Sequence, residues 1–238
     1  MQNLSIVSPK IKAIVFDLDD TLYPQVQYKR SGFKVVASWL AEKRGIDSTT
    51  VLYELETILD KFGASYPYIF DRLVERLKLK PELVAELVSV FIEHEPQIKC
   101  FNGVIPVLAR LRNKFRLGIL TDGRLSVQQK KVKALGLDNV IDRILYSDAM
   151  GLEKPATQLY KWFEDAFHID GLKMLYVGDN PAKDFCGANQ RQWYTVQVGT
   201  GKTVSKIVAP EYQAKKMIPS VTDLESMMTT WDLNLKKR

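Results

Sequence analysis

The chain has 238 residues, 46% hydrophobic and 26% charged, a balance that excludes disordered, collagen-like and coiled-coil chains; at ~150 residues per domain, this length favours one main domain carrying an insertion. No apolar run approaches the ~18 residues of a membrane span, the start MQNLSIVSPKIK lacks the pattern of a secretory signal, and Cys100 and Cys186 stand far apart, so a soluble cytoplasmic protein with free thiols is expected. The net charge of +6 comes from scattered lysines and arginines, with one tight cluster at 236–238, and neither nucleic acid nor membrane is expected as a partner.

In chain order, IKAIVF (11–16) is short, apolar and β-branched, and it reads as a buried parallel strand. From about residue 26 to 95 the period becomes helical. A helix over 31–44 buries Phe33, Val36 and Leu40 and stops at Gly45. Stripes follow at Val51, Leu52, Leu55, Ile58, Leu59 and Phe62, then at Ile69, Phe70, Leu73, Val74 and Leu77. After Pro81 the stripe returns at Leu83, Val84, Leu87, Val88 and Phe91. Past Gly103 helices and short strands alternate: helix 104–113, strand 116–121, helix 125–135, strand 143–147, helix 156–167, strand 173–178, a shorter helix 181–190 and strand 193–198. Such alternation predicts an α/β fold, a doubly wound, Rossmann-like parallel sheet. The first strand belongs to that sheet. Residues 1–25 and 100–238 are therefore expected to form one discontinuous α/β domain, and 26–99 an inserted all-helical domain.

Open parallel sheets bind ligands beyond the carboxyl ends of their strands, and that is where the polar residues collect. Asp17, Asp19, Asp20 and Thr21 follow the first strand, and Thr121, Asp122 and Gly123 the second. Asp148, Glu153 and Lys154 follow the third, and Asp179 and Asp184 the fourth. Crowded carboxylates repel one another unless a cation intervenes, and an all-oxygen donor set suits Mg²⁺. A lysine and backbone amides beside such an ion suit a tetrahedral anion, phosphate above all. A carboxylate can also attack phosphorus and form an aspartyl phosphate.

FDLDDTLYP (16–24), TDG (121–123), EKP (153–155) and VGDNPAKD (177–184) resemble, in order and spacing, the four signatures of the haloacid dehalogenase superfamily. KALGL (133–137) and SDAMGLEKP (147–155) resemble its connecting segments, and the helical block resembles its cap. The resemblance implies that Asp17 is the nucleophile and Asp19 the general acid and base. It implies that Thr121, the backbone N–H of Asp122 and Lys154 bind the phosphoryl group. Asp179, the Asp17 carboxylate and the Asp19 carbonyl would hold Mg²⁺, with Asp184 supporting the metal through water or holding Lys154.

A carboxylate at position 19 points to phosphoryl transfer, because a dehalogenase needs no acid for its leaving group. The expected activity is a Mg²⁺-dependent phosphatase acting on a small phosphorylated metabolite through an aspartyl phosphate. The DDTLYP wording leans to a nucleoside monophosphate, with a sugar phosphate next. A phosphomutase and a catalytically weak binding or regulatory member are the alternatives. In this family resemblance the cap sets the leaving group, and Tyr66, Tyr68 and Phe70 face either substrate or the cap's own core. His94 and His168 read as helix-end or surface residues. GTGKT (199–203) lacks the first glycine of a phosphate-binding loop and reads as a surface turn. Nothing in the residues sets an oligomeric state.

Overall fold

A computed structural model describes residues 10–64, 66–199 and 209–229. Among them the chain divides into two compact units. The α/β unit draws on 1–23, 100–128 and 136–238, and the helical unit on Pro24–Lys99 with Gln129–Leu135.

The α/β unit holds β1 (Ala13–Phe16), α5 (Val104–Arg112), β2 (Arg116–Thr121), β3 (Arg143–Tyr146), α7 (Thr157–Phe167) and β4 (Met174–Gly178). It continues with α8 (Pro181–Asp184), α9 (Cys186–Gln190), β5 (Tyr194–Val198) and β6 (Lys216–Ile218). The sheet is parallel throughout, in the order β3-β2-β1-β4-β5-β6. β1 lies at its centre, pairing Ala13 with Arg116 on one side and with Met174 on the other. All four β1 residues are fully buried, which is why they form an uninterrupted apolar run. The connection from β1 runs outward to β2 and β3, and β4 then returns to the other flank. That reversal places a crevice at the carboxyl ends of β1 and β4. Val15, Leu120, Tyr160, Phe163, Tyr176, Phe185 and Trp193 form the core on one face.

The helical unit contains α1 (Gln25–Arg44), α2 (Ser48–Phe62), α3 (Ile69–Arg76) and α4 (Leu83–Glu93). Most of each expected stripe is buried: Phe33, Val36 and Leu40 on α1, Val51, Leu55 and Ile58 on α2, Leu73 and Val74 on α3, Leu87 and Phe91 on α4, whereas Phe62 at the end of α2 and Val88 on α4 are exposed. Phe91 packs edge-on against Tyr28 and Phe70, with ring centroids 5.3 Å apart in each case. Of the three aromatics considered at the sequence level, Phe70 is buried and Tyr68 is exposed, while Tyr66 stacks on Phe62 at 4.4 Å. α6 (Leu125–Ala134) begins in the α/β unit and ends in the helical one.

The entry and exit of the inserted segment are tied by a backbone hydrogen bond from Phe101 N–H to the Leu22 carbonyl, at 3.0 Å. Three elements depart from the sequence reading. α1 starts at Gln25, six residues before the expected Ser31, because its first turns bury Tyr28, Ser31 and Gly32, which hydrophobic periodicity does not count. The helix expected over 181–190 is two pieces joined at Phe185. β6 is an additional edge strand. Only Gly199 of the GTGKT stretch is among the described residues. No helix of the described residues is long and apolar enough to cross a membrane.

Candidate active site

Asp17 directly follows β1, and its N–H donates to the Val177 carbonyl at 2.8 Å, extending the β1–β4 ladder by one residue. The nucleophile candidate thus leaves the sheet from a rigid backbone. The next six residues form a tight turn in which Asp20 adopts φ +58° and its N–H donates to the Tyr23 carbonyl at 2.9 Å. The turn brings the Tyr23 hydroxyl onto Asp19 Oδ1, to which it donates.

Lys154 carries the charged part of the site. Its Nζ donates to Asp17 Oδ1 and, at 2.8 Å, to Asp184 Oδ1. The Tyr176 hydroxyl, from the middle of β4, stands 3.4 Å from Nζ and donates to Asp184 Oδ1 at 3.2 Å. Asp184 is fully buried, and its Oδ2 accepts from the Asn180 N–H at 2.9 Å. A Cβ on Gly178 would sit 2.4 Å from that same oxygen, so the close approach of strand end and carboxylate requires glycine. Tyr160 donates its hydroxyl to the Asp184 carbonyl at 2.8 Å. Asp179 is less enclosed, with the Thr21 hydroxyl 3.5 Å from its Oδ1 and Gln197 Nε2 donating to its carbonyl at 3.2 Å.

Asp17, Asp179 and Asp184 each present an oxygen within 4.8 Å of the others. Burial pushes Asp17 well above the usual carboxylate range; Asp184 and Asp179 add to the shift, against the pull of Lys154. Burial and the neighbouring Asp184 and Asp20 raise Asp179 to about 7. Burial opposes the charge on Lys154, yet Asp17, Asp184 and Asp122 hold its pKa well above the ordinary value. Three crowded carboxylates against one ammonium leave an excess of negative charge in a low-dielectric pocket. The donor set therefore fits a hard divalent cation.

The other half of the site carries neutral donors. Gln128 on the first turn of α6 places Nε2 2.5 Å from Thr121 Oγ1, 2.6 Å from the Asp122 carbonyl and 3.0 Å from Asp19 Oδ2. Asp122 Oδ1 accepts from the Lys154 N–H at 3.1 Å, so this side chain anchors the Lys154 loop to the β2 loop. Sequence reading missed Gln128, Tyr23 and Tyr176. Gln128 looked like one more surface residue of a polar helix, and its signal was position alone, in the first turn after a strand end. Two acidic residues at strand ends lie apart from the cluster: Asp148 caps α6 by accepting from the Leu125 N–H at 2.8 Å, and Glu153 pairs with Lys183 at 3.8 Å. His94 is buried at the end of α4, where its Nδ1 meets the Phe91 carbonyl. Burial raises the Cys100 thiol to about 11, which keeps it protonated at neutral pH and unsuited to nucleophilic work.

Residues 14–198 match the haloacid dehalogenase-like hydrolase family. The chain belongs to that family. This hydrolase is 32% identical to a glyceraldehyde 3-phosphate phosphatase of Pyrococcus abyssi over 81% of its own length and 83% of the relative's. It is 29% identical to a protein of the same name from Methanopyrus kandleri, over 81% and 85% of the two chains. Its fold is shared with a 2-haloacid dehalogenase from Pseudomonas syringae pv. Tomato, at a TM-score of 0.63 and 23% identity, covering 93% of this chain and 99% of the other.

Proposed function

We propose that this haloacid dehalogenase-like phosphatase hydrolyses small sugar-type phosphate monoesters through an aspartyl phosphate on Asp17. The observation that carries the reading is the pairing of two differently served carboxylates. Asp17 is held by a buried ammonium, as a nucleophile approaching an anion requires, while Asp19 accepts from the Tyr23 hydroxyl and the Gln128 amide. Asp17 attacks phosphorus, the ester P–O bond breaks, and the leaving oxygen takes its proton from Asp19. Asp19 then accepts a proton from water, whose oxygen attacks the same phosphorus; the Asp17–phosphorus link breaks and inorganic phosphate leaves. Lys154 neutralises the oxygens of Asp17 and of the phosphoryl group in both steps, and the Thr121 hydroxyl and Asp122 N–H orient that group. Asp17, Asp179 and Asp184, with the Asp19 carbonyl, would hold Mg²⁺, which supplies positive charge against the phosphoryl oxygens.

The relatives that span four-fifths of the chain are named for glyceraldehyde 3-phosphate, and this weighs a sugar-type phosphate above the nucleoside monophosphate to which the first signature leans. Asp19 favours phosphoryl transfer over the dehalogenation named for the structural relative. The choice of leaving group is assigned to the helical insertion. Exchanging residues 28–98 for those of a relative with another preference should change the substrate profile.

The test is phosphate release from a panel of triose, pentose and hexose phosphates and nucleoside monophosphates with Mg²⁺, together with acid-quench mass spectrometry of Asp17. Expected are turnover of short sugar phosphates and a mass increment of one phosphoryl group on the peptide carrying Asp17. Release from no monoester, or a phosphoryl group on another residue, overturns the reading.

A further inference from the structure

Gln128 is buried to 1% exposure and faces three acceptors with one amide nitrogen. Turning the amide over would set its oxygen against all three, so the network itself fixes which atom is nitrogen. The amide oxygen, Oε1, is buried with no hydrogen-bond partner among the described residues. An unpaired buried acceptor costs ~1–3 kcal/mol. A glutamine kept in that position is held there by what its nitrogen does.

We propose that Gln128 is a positioning residue for the phosphoryl-transfer site, aligning Asp19 and setting the direction of the Thr121 hydroxyl. The inference rests on the reading of Asp19 as general acid. Thr121 Oγ1 accepts from Gln128, so its own hydrogen is left to donate, and the phosphoryl oxygen is the acceptor the reaction supplies. Asp19 receives Gln128 on Oδ2 and the Tyr23 hydroxyl on Oδ1, and two donors on opposite oxygens hold the plane of the carboxyl group. An amide NH₂ can only donate, whereas a hydroxyl can turn and accept. The bond from Gln128 to the Asp122 carbonyl ties the same amide to the loop that anchors Lys154.

Phenyl phosphate and p-nitrophenyl phosphate separate these roles, because they are nearly alike in shape and differ in how much the leaving oxygen needs a proton. kcat/KM covers the step in which the ester bond breaks. Gln128→Met is expected to lower kcat/KM ~10²-fold for phenyl phosphate and no more than ~10-fold for p-nitrophenyl phosphate, as loss of an aligned acid predicts. Asp19→Asn should shift the ratio of the two substrates in the same direction and further. In the double variant, Gln128→Met should add no further shift. Gln128→Asn keeps the amide one methylene shorter and should fall between, so it carries the same test if the methionine variant does not fold. Equal losses on both substrates in the Gln128 variants, with the ratio shifted in Asp19→Asn, overturn the role of Gln128 alone. An unshifted ratio in Asp19→Asn overturns the acid reading itself, and this inference with it.

Discussion

The two walls of the site solve opposite problems. Around Asp17 the groups are charged: two further carboxylates and one ammonium, with Asp184 fully buried and the rest nearly so or partly enclosed. Beside Asp19 stand uncharged donors, the Tyr23 phenol and the Gln128 amide, the latter also reaching the Thr121 hydroxyl. A buried charge must be matched by charge, whereas a group that gains and loses a proton in each cycle is better held by donors that tolerate both forms. In the proposed mechanism, two carboxylates separated by a single residue thereby take different work from their surroundings, and breaking either wall should give a distinct failure.

The largest effect is expected from Asp17→Asn, which should lower turnover roughly 10⁴-fold or more. Because the change also removes one of three crowded carboxylates, the metal-free variant should melt no lower than the parent by calorimetry. A variant that retains turnover, or melts well below the parent, would show that the charged wall works otherwise. Lys154→Met removes the counter-charge and leaves Asp17 and Asp184 facing each other. Loss of one partner from a buried pair costs ~3–5 kcal/mol, so chemical denaturation at pH 7 should show both a large stability loss and little activity.

Chelation is the next test, and its pH dependence has a definite sign. Asp179 titrates near 7 in the folded chain and near ~4 when unfolded. Below pH ~4 both states hold the proton. Between ~4 and 7 the unfolded state gives it up first, so the metal-free protein loses stability as pH rises through that window, and the loss is complete above about 7. Mg²⁺ bound at Asp179 would displace the proton, so the rise in melting temperature on adding Mg²⁺ should be larger at pH 8 than at pH 5.5. A rise independent of pH would remove Asp179 from the ion's ligands. Gly178→Ala is a smaller probe of the same wall. The new Cβ meets Asp184 at 2.4 Å, and the expected cost is ~1–3 kcal/mol with a partial loss of activity. Unchanged stability would show that Asp184 can move freely.

The charged groups of the site were legible in the sequence and most of the uncharged donors around them were not. Asp17 and Asp179 directly follow apolar strands, and Lys154 and Asp184 lie in the segments after β3 and β4; a charge beside a strand end is costly without a purpose, so their types alone single them out. Tyr23, Tyr176 and Tyr160 are aromatic residues in apolar company, and packing accounts for them without any use of their hydroxyls. Gln128 sits in LSVQQKKVKA, where polarity is ordinary for a helix surface. The sheet was readable from its apolar runs: β1 and β4 are apolar throughout, and β2 is apolar between Arg116 and Thr121 at its two ends. β6 has three residues with only Ile218 buried, too short and too exposed to leave a pattern.

The central place of β1 has a consequence for synthesis. Ala13 pairs with Arg116 and Met174, so its first partner strand leaves the ribosome about a hundred residues later. At ~5–20 residues per second, that delay is on the order of 5–20 s. Throughout it the segment Ala13–Phe16 offers unpaired backbone and apolar side chains to whatever it meets. The helices α1 to α4 emerge during the same interval with partners close by in sequence, and they can settle while β1 waits. The earliest strand of the sheet is thus the one that waits longest for a partner in a newly made chain, and nascent-chain crosslinking at Ile14 or Val15 should find chaperone contact there before anywhere else.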